Sequence, residues 1–289
     1  MTKSAEVRQG PQSINAGILV VIDDSPEAMG VLEAAVGLAR RQRVGVRAIF
    51  VEELDLVRSA GFPFACEIGA LSGSIRPRPR EHLSVELRRR ARRVGLVLER
   101  MAAASGITHE LIVRRGRVVS ETLILASPDD LLIVGRVGWS RRLGRSFGSV
   151  PLALAHKASG AVLIWSSGSV ATGGHVALLA EDDATLDDVV KWARARALAR
   201  HVGLTALLLP QPNASQRSEL EGHIAAGLEG SGVPFEIREL SAANVASLLH
   251  ALGQSGAVEL VLSRRGRLLS DSTGARLLER IQLPVCVVP

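Results

Sequence analysis

The sequence is poor in cysteine, lysine and aromatic residues. Among its 289 residues there are two cysteines, no tyrosine and only 3% aromatic residues. Cys66 and Cys286 are isolated thiols without a CxxC or Cys/His spacing, which argues against a disulfide framework and against a zinc site. The scarcity of aromatic rings argues against stacking platforms for single-stranded nucleic acid.

Long hydrophobic runs are also missing. The apolar segments, such as Ile18–Ile22 and Leu131–Val134, fall far short of the roughly 20 residues that a membrane-spanning helix needs. The polar N-terminus lacks the hydrophobic core of a signal peptide. The 47% hydrophobic and 22% charged content is typical of a folded globular protein. We therefore expect a cytoplasmic protein without membrane association.

Motifs of several enzyme classes are absent as well. The sequence has no Gly-x4-Gly-Lys-Ser/Thr loop, no Gly-x-Ser-x-Gly elbow and no His-Glu-x-x-His helix. Its seven histidines are scattered along the chain. We predict no catalytic residue and no metal site built from protein ligands alone.

Arginine is the residue in excess. Of 35 basic residues, only Lys3, Lys157 and Lys191 are lysines. The planar guanidinium group suits bidentate partners such as phosphate and carboxylate, so we expect anionic ligands. The basic stretch from Arg76 to Arg93 has two interpretations, a phosphate contact for nucleic acid or a solvated helix face. Because no helix-turn-helix or RNA-binding motif accompanies it, we expect no nucleic-acid partner.

The sequence contains an internal repeat. Three pairs of segments align without gaps, at offsets of 158, 128 and 124 residues: Arg43–Val51 with His201–Leu209, Leu131–Gly138 with Glu259–Gly266, and Ala161–Ile164 with Val285–Val288. The falling offset indicates that the first copy carries about 30 extra residues, near 52–82. We predict two tandem domains, residues 1–168 and 174–289, joined by a short glycine-rich linker.

Short apolar runs alternate with longer amphipathic stretches in each copy, a pattern typical of βαβ units in a parallel sheet. Ser25 followed by Pro26 is the expected start of the first helix. The strands predicted in the first copy are Ile18–Ile22, Val46–Val51, Thr108–Arg114, Leu131–Val134 and Ala161–Trp165. The later helices predicted there are about Arg80–Ala104, Val118–Ala126 and Gly148–Ala158. The fold class is therefore α/β, with an open five-stranded parallel sheet in each copy.

A glycine-rich loop follows the fourth predicted strand of the first copy. Gly135 and Gly138 are followed, after nine residues, by Gly148 and Ser149, which open a helical stretch. Ligands of open parallel sheets bind beyond the carboxyl ends of the strands, and the free N–H groups of a helix N-terminus favour phosphate. We call Gly135 to Ser149 the glycine loop and predict a phosphate site there. The alternative is a surface connection that binds no ligand.

The spacing Gly-x2-Gly-x9-Gly-Ser after a buried strand resembles that of the nucleotide-binding branch of the universal stress protein family. Asp23 at the end of the first strand and the last strand within Leu283–Val288 add to the resemblance, which covers nearly the whole chain as two tandem domains. It implies two Rossmann-like sandwiches packed as an internal pseudo-dimer. It also implies that the terminal strands, Ala161–Trp165 and Val285–Val288, mediate that pairing.

The resemblance further implies the roles of individual residues. Asp23 would lie by the ribose of an adenine nucleotide, and the backbone at Ile22 and Val51 would border the adenine. The residues that would hold the phosphates are Gly135, Gly138, Gly148, Ser149 and Val150. Apart from the resemblance, Arg136 adds a positive charge and forked donors to the loop, which suit phosphate oxygens. The implied cofactor is ATP, or ADP or AMP, with Mg²⁺ bound through the phosphates. For Asp23, the alternative is a solvent-facing carboxylate at the end of the strand or a cap of the first helix.

The second copy departs from this pattern. Ser263 stands in place of the first glycine, Gly274 follows Gly266 after seven residues, and Glu181 replaces Asp23. Because a longer carboxylate and a shorter loop change the geometry, we predict one nucleotide site per chain, in the first copy.

The predicted function is that of an ATP-binding stress-response protein with a regulatory role and an unknown protein partner. Two alternatives stay open. One is a ligand-free scaffold or regulatory interaction module, and the other is a weak ATPase or nucleotide-dependent transferase. Association of two chains into a homodimer also stays open.

Overall fold

The computed structural model describes residues 17–23, 25–53, 66–68, 73, 75–77, 80–137, 147–166, 173–270 and 273–289. The chain divides into two compact units, one up to Ala126 and one from Ser127 to Pro289. This division lies at a different place from the boundary near residue 170 that the repeat predicts. Each unit is an α/β structure built from parallel strands and the helices that connect them.

The first unit contains a parallel sheet and a small hairpin. Its elements are β1 (Ile18–Ile22), α1 (Pro26–Gln42), β2 (Val46–Glu53), β3 (Cys66–Ile68), β4 (Ile75–Pro77), α2 (Arg80–Ser105), β5 (His109–Gly116) and α3 (Val118–Leu125). β2 lies between β1 and β5, and both neighbours run parallel to it. β3 and β4 pair antiparallel inside the inserted segment, where the sequence pattern had indicated no strand.

Helix α1 begins as its sequence predicts. Ser25 is the N-cap, and its hydroxyl oxygen accepts a hydrogen bond from the backbone N–H of Ala28 at 3.3 Å. Pro26 follows as the first helical residue, where its missing N–H costs nothing. Apolar residues at helical spacing form the buried face of this helix, and they are Ala28, Val31, Leu32, Ala35 and Leu38.

The second unit contains the remaining elements. They are β6 (Leu131–Gly135), α4 (Ser149–Lys157), β7 (Ala161–Trp165), β8 (His175–Ala180), α5 (Leu186–Arg200), β9 (Gly203–Leu208), α6 (Ala214–Leu228), β10 (Phe235–Glu239), α7 (Val245–Gln254), β11 (Ala257–Ser263), α8 (Arg267–Ser270), α9 (Thr273–Arg280) and β12 (Val285–Val288). The sheet order in this unit is β6-β7-β12-β11-β8-β9-β10. Apolar residues of β6, β7, β8, β9, β11 and β12 are buried, as expected of strands covered on both faces.

Strands β7 and β12 are the antiparallel pair in this sheet, as the resemblance implies. Val162 lies opposite Val287, and Leu163 lies opposite Cys286. The other neighbouring strands of the unit run parallel. In the repeat, Val162 corresponds to Cys286 and Leu163 to Val287, so each of these two pairs maps onto the other. The contact therefore has the reciprocal form of a two-fold interface.

The first helix of each copy ends in the same way. Arg43 and His201, equivalent residues in the repeat, both adopt the left-handed conformation, with φ of 56° and 55°. The backbone N–H of Arg43 bonds to the carbonyl of Ala39, and that of His201 bonds to the equivalent carbonyl of Ala197. A residue other than glycine rarely adopts this conformation, so its recurrence supports the alignment of the two copies.

No helix in the part of the chain that the structure describes has the length and apolar character required to cross a bilayer.

Candidate functional site

The glycine loop has a defined stem. Gly135 is the last residue of β6, and Gly148 is the N-cap of α4. The backbone N–H of Gly148 donates to the carbonyl of Arg136 at 3.1 Å, and the N–H of Arg136 donates to the carbonyl of Trp165 at 2.9 Å. The two ends of the loop are therefore fixed to each other and to β7. Gly138, one of the predicted phosphate-binding residues, lies outside the described residues.

Helix α4 begins at this stem. Gly148 is extended, with φ of −85° and ψ of 151°, and no side chain caps the helix there. Ser149 and Val150 are its first two residues, whose N–H groups have no partner within the helix. Such groups, together with the positive end of the helix dipole, favour an anion. A Cβ atom at Gly148 would lie 3.2 Å from Cδ of Pro151, so the tight packing here favours glycine.

The side chain of Arg136 is buried beside the loop stem. Its Nη1 and Nη2 atoms donate to the backbone carbonyls of Ile281 and Glu279 at the end of α9. Its guanidinium carbon lies 5.3 Å from the centre of the Phe147 ring. Burial lowers the pKa of Arg136, and the nearby carboxylate of Glu279 opposes that shift. The guanidinium group, predicted to contact phosphate, thus already has three neighbours inside the protein.

The strand ends predicted to border the nucleoside lie in the first unit. Ile22 is opposite Phe50 in the parallel register, so Asp23 and Val51 follow at the same carboxyl edge of β1 and β2. Ile22 is buried, whereas Asp23 and Val51 are half-buried. The Asp23 carboxylate accepts a hydrogen bond from the N–H of Ser25 at 2.9 Å. Asp23 therefore supports the turn that enters α1, whose N-cap is Ser25.

Glu52 and Arg115 form an ion pair at this edge that the sequence did not suggest. The Glu52 carboxylate is buried and accepts from Nε of Arg115 at 3.0 Å and from Nη2 at 2.7 Å. These residues are opposite each other in the β2–β5 register. They are 63 positions apart in the chain, and only the pairing of the strands brings them together.

The equivalent strand end in the second copy is closed by its own carboxylate. Glu181 follows β8 and is 2% exposed. Its Oε2 accepts from the backbone N–H of Arg267 at 2.5 Å and from that of Leu268 at 3.4 Å. Burial raises the pKa of Glu181, and these two N–H groups partly oppose the shift. A Cβ atom at Gly266 would collide with Oε1 of Glu181, so this glycine gives the carboxylate its space.

The remains of the loop in the second copy form a tight turn. The hydroxyl oxygen of Ser263 accepts from the N–H of Arg265 at 3.1 Å, and the carbonyl of Ser263 accepts from the N–H of Gly266 at 3.2 Å. The turn leads directly into α8, whose first amides are those bonded to Glu181. The N–H groups that would face an anion in this copy thus have an internal acceptor.

Comparison with known proteins identifies the family. A model of the universal stress protein family matches residues 17–165, more than half of the chain. The chain belongs to the universal stress protein family. Among solved structures, a universal stress protein from Archaeoglobus fulgidus DSM 4304 is 18% identical, with a TM-score of 0.70, and the match covers 94% of this chain and 96% of that chain. A putative universal stress protein from Pseudomonas aeruginosa UCBPP-PA14 is 15% identical, with a TM-score of 0.60 and coverage of 96% and 93%.

Some universal stress proteins have been solved with a bound nucleotide. One from Archaeoglobus fulgidus was solved in complex with dAMP; it is 11% identical over 40% of this chain and 98% of that chain, with a TM-score of 0.35. That likeness is too distant to assign a ligand to the present chain. No curated protein matches the sequence significantly.

The universal stress protein described here has no protein-only metal centre in its described residues. No group of three or more His, Cys, Asp or Glu side chains in that part of the chain is arranged to hold a metal ion.

Proposed function

We propose that this universal stress protein binds an adenine nucleotide, ATP or its products ADP or AMP, at the glycine loop of the first copy. Binding would report the nucleotide state of the cytoplasm to a protein partner and so serve a regulatory role during stress. The observation that carries the proposal is the loop stem. A strand that ends in Gly135 and a helix that begins after Gly148 are held together through Arg136, and the first amides of α4, which have no acceptor within the helix, lie at this stem.

In this proposal the loop holds the phosphates. The N–H groups of Ser149 and Val150 would donate to phosphate oxygens, and glycine at 135, 138 and 148 would let the backbone approach them. Mg²⁺ would be bound through the phosphates and would neutralise their charge. Asp23 would accept from a ribose hydroxyl, because one of its oxygens already serves Ser25 and the carboxylate has further acceptor capacity. The backbone at Ile22 and Val51 would border the adenine.

We propose one such site per chain. In the second copy the Glu181 carboxylate already accepts from the amides of Arg267 and Leu268. A phosphate there would meet a carboxylate that occupies the same donors, and the two negative groups would repel each other. The loop after Gly266 is shorter than its counterpart in the first copy, and the Glu181 carboxylate remains the acceptor of these two amides.

A ligand-free scaffold is the alternative that one observation favours. Asp23 and Arg136, the charged residues proposed to contact the ligand, both have internal hydrogen-bond partners. A protein that had lost its ligand would need these groups only for structure. The alternative predicts that substitutions in the loop stem change the stability of the protein, and that neither the wild type nor the variants bind a nucleotide.

The decisive experiment is to identify and count bound nucleotide. Mass spectrometry of small molecules released from freshly purified protein, followed by calorimetric titration with ATP and Mg²⁺, should give one adenine nucleotide per chain. Replacement of Gly138 by Val should abolish retention, whereas Gly253→Val, at a helical site with open space around it, should not. Absence of nucleotide in both assays favours the scaffold, and a count of two refutes the single site. Phosphate release over hours tests for slow hydrolysis.

A further inference from the structure

Two arginines occupy equivalent positions after equivalent strands. Arg136 directly follows β6, and Arg264 directly follows β11. The repeat offset of 128 residues relates them. Arg136 is buried and Arg264 is half-buried, and burial lowers the pKa of each guanidinium group. A buried arginine side chain normally forms hydrogen bonds or an ion pair with other groups of the protein.

Each arginine reaches a helix of the other copy. Arg136 donates to the backbone carbonyls of Glu279 and Ile281, at the end of α9. Arg264 donates through Nε to the carbonyl of Ala155 in the last turn of α4, at 2.6 Å, and through Nη2 to that of Gly160, directly before β7, at 2.8 Å. The last carbonyls of a helix lack partners within it and carry the negative end of its dipole, so both contacts are favourable.

The two contacts are related by the same symmetry as the β7–β12 pair. An offset of 124 residues places Ala155 on Glu279, and both of their carbonyls accept from the arginine of the opposite copy. Arg136 and Arg264 therefore each join one copy to the other, and we call these two contacts the clamp. This reciprocity is what an interface between two copies of one domain produces.

The two arginines differ in what else they contact. The carbonyl of Arg136 accepts the N–H of Gly148, and its guanidinium group lies against the ring of Phe147. One residue thus holds both ends of the glycine loop and the end of α9. Arg264 belongs to the tight turn of the second copy, whose neighbouring amides at 267 and 268 bond to Glu181. Its guanidinium group contacts the carbonyls of Ala155 and Gly160, which lie beyond the start of α4 that forms the loop stem.

We propose that Arg136 is a positioning residue that couples occupation of the glycine loop to the pairing of the two copies, and that Arg264 stabilises the pairing alone. The coupling rests on the proposed function, because it needs a ligand at the loop. A phosphate bound at the loop stem adds contacts to a stem that Arg136 already holds together, and this favours the geometry in which its guanidinium group lies on the carbonyls of α9. Coupling is reciprocal, so the clamp on α9 in turn favours the loop geometry that binds the phosphate.

The test compares Arg136→Met with Arg264→Met, two substitutions that preserve length and remove the same kind of contact. Hydrogen exchange at β7 and β12 reports pairing, and calorimetry with ATP and Mg²⁺ reports binding. Both variants should exchange faster at these strands, whereas only Arg136→Met should weaken ATP binding, by about fivefold or more. ATP should slow the exchange of β12 in the wild type and in Arg264→Met, and not in Arg136→Met.

Further variants keep the test decisive if Arg136→Met folds poorly. Arg136→Lys retains the charge but cannot contact both carbonyls, and should show an intermediate loss of affinity. Phe147→Leu removes only the ring and should weaken ATP binding without faster exchange at β12. Equal loss of affinity in both arginine variants, or unchanged affinity in Arg136→Met, overturns the proposal. A wild type that binds no ATP overturns the proposed function and the coupling together. If both arginine variants then still exchange faster than the wild type at β7 and β12, only the role of the two arginines in pairing is supported.

Discussion

Nη2 of Arg196 lies 2.8 Å from Oε2 of Glu259 in the interior of the second unit, where these side chains are 2% and 0% exposed. A second arginine, Arg200, donates to the same carboxylate oxygen at 2.8 Å. The repeat places Leu38 and Leu131, both buried, at the positions of Arg196 and Glu259. Two buried leucines of the first copy thus correspond to a buried ion pair in the second.

The ion pair should be replaceable by the leucines of the first copy. Glu259→Leu alone leaves the Arg196 guanidinium buried without its carboxylate and should lower the free energy of unfolding by about 3–5 kcal/mol. Arg196→Leu should cost less, because Arg200 still neutralises Glu259. The double variant should return to within about 1 kcal/mol of the wild type, since well-packed apolar residues often replace buried ion pairs without loss. Urea unfolding of the four proteins measures these differences.

An exposed pair provides the control for that cycle. Arg217 and Glu221 lie one turn apart on α6 and form an ion pair 2.8 Å long at the surface. Their single substitutions by leucine should each change the free energy of unfolding by less than about 1 kcal/mol. If Glu259→Leu changed the free energy of unfolding by as little, the buried ion pair would contribute no more to stability than the exposed one.

The strands and helices of the first copy could be predicted because their patterns are local. The bounds of β1 and β7 agree with the prediction, and α2 differs by one residue at its end. The β3–β4 hairpin was missed because its strands have three residues each, too short for an alternating pattern. Such patterns involve residues that are close in the sequence, so they can be recognised without knowing which strands pair in the sheet.

Contacts across the fold could not be predicted from the same patterns. The sequence indicated that Glu181 replaces Asp23, but the amides it would bind depend on how β8 and the turn after β11 are brought together. Arg136 was predicted to contact phosphate because it is a cation with forked donors inside the glycine loop, and its distance from α9 in the chain hid the carbonyls of Glu279 and Ile281. The clamp formed by Arg136 and Arg264 required the β7–β12 register, which the sequence suggested only through family resemblance.

Glu181 should make stability depend on pH. Its pKa is raised above the ordinary value of 4.5, mainly by burial. The folded chain therefore keeps this proton at pH values where the unfolded chain has lost it, and the resulting stability declines as pH rises from about 4.5 through the folded-state pKa. Glu181→Gln removes this titration while its side-chain oxygen can still accept from Arg267 and Leu268.

The comparison of Glu181→Gln with the wild type isolates that effect. The stability of the variant relative to the wild type should increase from pH 4 to pH 7, as measured by urea unfolding in the same buffers. Glu239→Gln, at a partly exposed carboxylate paired with Arg217, should lack this upward trend. A relative stability that falls with pH would show that the two amides outweigh burial.

His223 should stabilise the second unit below neutral pH. Its Nε2 lies 2.7 Å from Asp187 and its Nδ1 lies 2.6 Å from Asp183, so both ring nitrogens face carboxylates. These hydrogen bonds, that of Asp187 first, raise the pKa of His223 above 6.5. Since the folded state holds the proton more tightly, the added stability is complete below about pH 6.5 and is lost as pH rises through the folded-state pKa.

Substitution of His223 by Ala should therefore cost more at pH 5.5 than at pH 8.5. The difference should stay below about 1 kcal/mol, because the histidine is near the surface and salt screens the pair. The double variant Asp183→Asn/Asp187→Asn removes the carboxylates, and in that background His223→Ala should have no such pH dependence. Thermal unfolding at the two pH values measures all four proteins, and equal losses at both values would refute the assignment.

The thiol of Cys286 should not react with alkylating reagents until the protein unfolds. Its thiol lies in β12 with no exposed surface, and burial raises its pKa to about 12. At pH 8 only about one thiol in ten thousand would be ionised, and the thiolate is the form that reacts. In a Cys66→Ser variant, which leaves Cys286 as the single thiol, iodoacetamide should label the native protein at a rate limited by unfolding. Labelling in urea should be faster by orders of magnitude, and rapid labelling without urea would mean that the paired strands β7 and β12 open in the native state.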